Sequence, residues 1–310
     1  MPGMYDLVSW AWVPITIWAA LCQTVRTGLQ KSLKGRLSTN GASFTRFLYG
    51  MPLAAAYMLG IAHWQGLPLP ALHGEFLLWL VFGATAQILA TNLLILALTL
   101  RNFMVGTAYS KTEAIQAAVF GLVLLGEPVT IGGLAAIIAG TVGVMLMSLK
   151  DAGNKWRAFL LGWSERPALI GIASGSLFAI SAVGFRAASL SLDTPSLPVA
   201  AAVAVACATV FQTGVMAIYL RWREPGEIGR VLRHWRAGSL VGLTSAAGSV
   251  GWFTAMALQV AAYVRMLGMI EMAFTFITAV LIFHERPSRA ETAGAALLLA
   301  GILFGLAMKL

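Results

Sequence analysis

Four glutamates carry most of the chemistry this sequence offers, and their spacing is regular. Glu113 precedes Glu127 by fourteen residues, and Glu271 precedes Glu285 by the same fourteen. Glu113 and Glu271 each fall in the middle of an apolar run. A carboxyl stripped of water has two uses there: it can carry a proton, because desolvation favours the neutral form, or it can hold a cation. Lys111 stands two residues before Glu113. Tyr109 and Gln116, four before and three after it, share its face on a helix, as Phe274 and Thr275 share the face of Glu271. Trp18, Gln23, Thr24 and Arg26 lie in one other apolar run, and Gln87, Thr91 and Asn92 in a third. Together these side chains could line a small polar cavity with aromatic walls. Helix pinning is the plainer use, with each Glu paired to Lys111, Arg26, Arg46 or a backbone group. It accounts for either glutamate alone; two at matching depth favour a binding or coupling site.

The rest of the chain says what must position them. Of 310 residues, 59% are apolar and 11% charged, against roughly 25% charged in a soluble domain. A membrane-spanning helix needs about 20 apolar residues. Ten such helices are predicted, over Trp10-Gln30, Ser43-Trp64, Phe76-Leu98, Met104-Leu125, Ile131-Leu149, Ala168-Ser189, Leu197-Leu220, Ser239-Leu258, Val264-Phe283 and Glu291-Met308. The longest spaces between them, Lys150 to Arg166 and Arg221 to Gly238, are too short for a catalytic or nucleic-acid-binding domain, so no nucleic-acid partner is expected. Cys22 and Cys207 lie in apolar runs, and His63, His73, His234 and His284 stand at run ends or in loops, without the spacing of zinc ligands. Hence neither a metal nor any cofactor is expected, and an intramembrane enzyme lacks its nucleophile-base pair or metal cluster. Met1 to Ser9 carries Asp6 and no Lys or Arg, so the first helix is expected to be retained and not cleaved as a signal.

The glutamate spacing belongs to a longer internal repeat. Ala97-Leu98 recurs as Ala257-Leu258, Arg26 matches Arg186, and the stretch Gly133 to Gly140 recurs as Gly294 to Gly301, Ala-Gly closing both. Residues 10–149 and 168–308 are therefore read as two five-helix repeats. An odd number of helices per repeat inserts the second upside down, the architecture of inverted-repeat transporters. At 1.5 Å per residue Glu113 sits roughly 14 Å from one end of its helix and 18 Å from the other, with Glu271 similarly central. Arg186 and Arg265 lie near helix ends and are expected to snorkel.

The Ala-Leu pair, the central glutamates, Gly126-Glu127-Pro128 with its counterpart His284-Glu285-Arg286-Pro287, and the two Gly-to-Gly helices resemble the EamA family of the drug/metabolite transporter superfamily, over essentially the whole chain. Ala114 and Met272 stand where the family often has proline, so a proline kink beside each Glu is not predicted. The resemblance implies an all-helical membrane protein that moves a small organic metabolite by alternating access. An amino-acid-like zwitterion suits a cavity with carboxylate and basic groups; a lipophilic or quaternary cation suits the two glutamates and aromatics alone. No Gly-x-x-x-x-Gly-Lys-Ser/Thr motif is present, so protons are the candidate coupling ion and ATP is not the direct energy source. A membrane scaffold that transports nothing would explain the helices but not the duplicated glutamates. Monomer and homodimer both fit.

Orientation follows from the cations. The odd-numbered spaces between helices hold Lys31, Lys34, Arg36, Arg101, Lys150, Lys155, Arg157, Arg166, Arg221, Arg223, Arg230, Arg233, Arg236, Arg286 and Arg289, whereas the even spaces and termini hold only Lys309. The positive-inside rule puts the odd loops in the cytoplasm and both termini outside, in a bacterial inner membrane. Relatives usually have both termini inside. The basic segment Arg221 to Gly238 also carries Trp222 and Trp235, and is read as a loop whose tryptophans sit at headgroup level, with a lipid- or partner-binding helix as the alternative.

Overall fold

The computed structural model describes residues 10–33, 35–99, 109–148, 166–281, 284 and 287–308. In chain order its helices are α1 (Trp12–Ser32), α2 (Thr39–Leu48), α3 (Gly50–Gln65), α4 (Gly74–Thr99), α5 (Glu113–Leu125), α6 (Ile131–Met147), α7 (Arg166–Ser191), α8 (Leu197–Arg223), α9 (Glu227–Arg233), α10 (Trp235–Leu258), α11 (Ala261–Gly268), α12 (Ile270–Leu281) and α13 (Arg289–Ala307). No β-strand occurs among the described residues. Among the described residues six helical stretches are long and apolar enough to cross a membrane: Gly74–Leu94, Arg166–Ser191, Leu197–Arg223, Trp235–Leu258, Ala261–Thr278 and Arg289–Ala307. The protein is thus a helical, multi-pass membrane protein by length and composition.

Four of the ten predicted spans differ from that form for visible reasons. α1 carries Gln23, Arg26, Gln30 and Lys31 along 21 residues. The helix predicted over Ser43-Trp64 starts earlier, at Thr39, and is divided at Tyr49. α5 and α6 are apolar but shorter than a full span. Outside the described residues lie the predicted start at Met104, the ends Leu149 and Phe283, Lys155 to Arg157, Trp163, Glu285, Arg286 and Lys309. The segment predicted as a loop between Arg221 and Gly238 contains the short helix α9.

Helix starts are set by hydroxyl caps. Ser38, Thr130, Ser196 and Ser288 accept from the N–H groups of Gly41, Gly133, Val199 and Glu291, satisfying donors that have no partner inside the helix. At Ser288 the bond is returned: its own N–H donates to Glu291 Oε2 at 2.7 Å, a capping box. α5 ends on Gly126 at φ +67°, a left-handed turn that a side chain resists, before Glu127-Pro128.

The helices sort into two compact units, each drawing on both halves of the chain: Met1–Thr85 with Gly184–Gln259, and Ala86–Val183 with Val260–Leu310. In the first, α1 packs along α10, and α8 along α3 and α10. Small residues permit it: a methyl on Gly251 would stand 2.9 Å from Ala19 Cβ, and one on Gly248 3.3 Å from Cys22 Cβ. Phe185 and Phe253 stack with ring centroids 4.3 Å apart. In the second unit the closest partners are α6 and α13. A methyl on Gly143 would meet Leu298 N at 2.6 Å and Gly294 O at 2.7 Å, and one on Gly301 would meet Gly140 N at 2.9 Å. Gly294 and Gly301, which the repeat singles out, and Gly143 beside it are therefore points of close contact with backbone.

Candidate functional site

In the second unit, both central glutamates sit where a helix restarts. Ahead of α5, residues 109–112 form a turn in which the Thr112 N–H donates to the Tyr109 carbonyl at 3.2 Å and its Oγ1 donates to the same carbonyl at 2.7 Å. A hydroxyl that competes for the backbone acceptor loosens the regular ladder. Ahead of α12 the Met269 N–H donates to Met266 O at 3.1 Å, a similarly tightened turn. Glu113 is thus the first residue of α5 and Glu271 the second of α12. Both carboxyls lie in a first turn, beside backbone N–H groups that have no acceptor inside the helix. No proline is involved.

Glu113 has a cation. Arg265, in α11, places Nη1 3.2 Å from Glu113 Oε1, and the two side chains are 11% and 17% exposed. At that burial each charge offsets part of the hydration the other has lost. Lys111, the neighbour expected to supply this charge, forms no ion pair among the described residues; it is half-buried in the turn before α5. Arg265, expected to reach a helix end and water, instead points at the glutamate. The repeat conceals this pair, since the position matching Arg265 at the 158-residue offset of the glutamates is Thr107.

Gln116 is occupied. Its Nε2 donates to Thr112 Oγ1 at 2.6 Å, and its Oε1 accepts from Ser176 Oγ of α7. The backbone of α7 comes close here, for a methyl on Gly175 would lie 2.8 Å from Ser110 O. Ser174 Oγ donates to Ala90 O at 2.8 Å, tying α7 to α4 within the same unit. Tyr109 is buried. Asn92 is exposed. Thr275 is exposed too, and its hydroxyl bonds back to the Glu271 carbonyl at 3.0 Å.

Trp18, Gln23 and Arg26 belong to the first unit. Trp18 is largely exposed, Gln23 Oε1 accepts from Trp252 Nε1 at 3.2 Å, and Arg26 is half-buried. Arg186, the repeat counterpart of Arg26, caps a helix: its Nη1 donates to Met256 O at 2.6 Å and Gln259 O at 2.8 Å, at the C-terminal end of α10. A cation there satisfies carbonyls with no partner inside the helix. Spacing alone did not reveal Thr112 and Ser176 beside Gln116, Arg265 beside Glu113, or, in the first unit, Trp252 beside Gln23. An arginine inside an apolar run was the one available signal. No cluster of His, Cys, Asp and Glu able to hold a metal occurs among the described residues.

No family model matches the chain, and no curated protein matches it. Among solved structures, one described as "Crystal structure of protein" aligns with a TM-score of 0.69 at 16% identity, over 96% of this chain and 98% of that one. At that identity the likeness is one of fold.

Proposed function

We propose that this protein is a secondary transporter of the EamA type, moving a small zwitterionic metabolite, amino-acid-like in its charges, by alternating access between two inverted five-helix repeats. The observation that carries the reading is the Glu113–Arg265 pair at the start of an interrupted helix inside apolar segments. Interrupted helices with charge at their ends are how transporters build polar sites at mid-membrane. Arg265 and Lys111 offer donors for a substrate carboxylate, Glu113 beside Arg265 offers an acceptor for its ammonium group, and Glu271 is the candidate carrier of the coupled proton.

The repeat is supported by which helices pack together. α6 lies on its counterpart α13, and α3 on α8. Gly140 faces Gly301, its own equivalent. Direct contact between equivalents is what a twofold axis passing between them requires. The fold shared over nearly all of a solved chain is compatible with this. With odd loops cytoplasmic, both termini lie outside, as the cation count demands.

The test is uptake by purified protein in proteoliposomes, using zwitterionic amino acids and lipophilic cations with and without an imposed pH gradient. Gradient-driven accumulation of a zwitterion is expected. Accumulation of lipophilic cations alone would replace the substrate class, and no gradient-driven movement of either would remove the transport reading.

A further inference from the structure

At one end of the first unit, three arginines from separate segments converge on an open cleft of about 370 Å³, lined by Arg36, Arg233, His234, Trp235, Arg236 and Ala237. The two acids of this region are turned elsewhere. Glu227 is fully buried, receives the Ser38 N–H at 2.6 Å and pairs with Arg230. Glu224 receives the Asn40 amide at 2.7 Å and the Ser38 hydroxyl. Among the described residues Arg36, Arg233 and Arg236 have no carboxylate partner. The cleft is thus built with uncompensated positive charge and planar donors suited to a phosphate.

Its surroundings say where that phosphate comes from. Trp222 and Trp235 are 79% and 56% exposed, amphipathic rings of the kind found at headgroup level. Arg236, Leu240 and Leu243 follow one another at helical spacing on a single face of α10, and both leucines are exposed. A cation therefore heads an apolar stripe, as a phospholipid presents a phosphate above an acyl chain.

We propose that this cleft binds the phosphate of an anionic phospholipid, with the guanidiniums of Arg36, Arg233 and Arg236 on the headgroup and the acyl chain along Leu240 and Leu243. The claim does not depend on transport. It is tested by titrating detergent-purified protein with phosphatidylglycerol and counting retained lipid by native mass spectrometry. Arg233→Gln/Arg236→Gln is expected to weaken retention at least tenfold, whereas Arg221→Gln/Arg223→Gln, which removes two exposed arginines outside the cleft, leaves it unchanged. Glycerol 3-phosphate is expected not to displace the lipid, and Leu240→Ser/Leu243→Ser to weaken lipid retention. Equal loss in both arginine pairs would mean general charge attraction and overturn the site. Displacement by glycerol 3-phosphate at the lipid's own concentration would assign the cleft to soluble phosphates and overturn the lipid.

Discussion

Arg265 and Glu113 form an ion pair across α11 and α5, with Nη1 3.2 Å from Oε1 and both side chains mostly buried. Removing one partner leaves the other charged in a poorly hydrated place, which costs about 3 kcal/mol, whereas removing both avoids most of that cost. Arg265→Met and Glu113→Gln are therefore each expected to lower the melting temperature in detergent, and the double variant to recover much of the loss. Additive losses would show that the residues do not depend on each other.

The α6–α13 contact gives a packing prediction. At Gly143 a methyl would press on backbone atoms of α13 that cannot rotate away. Gly143→Ala is expected to destabilise by about 1–3 kcal/mol. Gly60→Ala, where nothing lies within 4 Å, is expected to stabilise by up to about 1 kcal/mol through helix propensity. Thermal melts of the two variants beside the wild type check the contrast.

Arg186 separates a cap from a site. If its role is to satisfy the carbonyls of Met256 and Gln259, Arg186→Gln loses about 1–3 kcal/mol of stability. The expected signature is faster hydrogen exchange at residues 254–260, with substrate affinity per folded molecule unchanged. A selective loss of substrate affinity would place the arginine in the binding machinery.

Much of this was written in composition and spacing. The long apolar runs that became α4, α7, α8, α10 and α13 were legible because a full span of apolar residues has few other uses. Gly140, Gly294 and Gly301 were legible as repeated positions, and their use with Gly143 as packing points follows because lipid gives no hydrophobic drive and close approach needs small residues. The restarts before Glu113 and Glu271 were not legible, because no proline marks them and each depends on a hydrogen bond that tightens one turn. Nor was the Glu113–Arg265 pair: its members are far apart in sequence and the repeat offers no second copy. Arg186 looked like a snorkelling cation until its carbonyl partners, some 70 residues away, came into view.

Orientation has a direct readout. Reporter fusions behind Lys309 are expected to be active only as a periplasmic enzyme, with a cytoplasmic fluorescent fusion failing to mature. A C-terminal fluorescent fusion that matures normally would reverse the topology, despite the basic character of the odd loops.

In the proposed transport cycle Glu113 and Glu271 do different work, Glu113 holding the substrate's charge beside Arg265 and Glu271 carrying the coupled proton. The measurement is gradient-driven uptake and substrate exchange in proteoliposomes for Glu113→Gln and Glu271→Gln. Glu271→Gln is expected to abolish response to the pH gradient while exchange continues, and Glu113→Gln to weaken substrate binding itself. Gradient-driven uptake at the wild-type rate in both variants would contradict the account and leave the two glutamates as helix-packing residues.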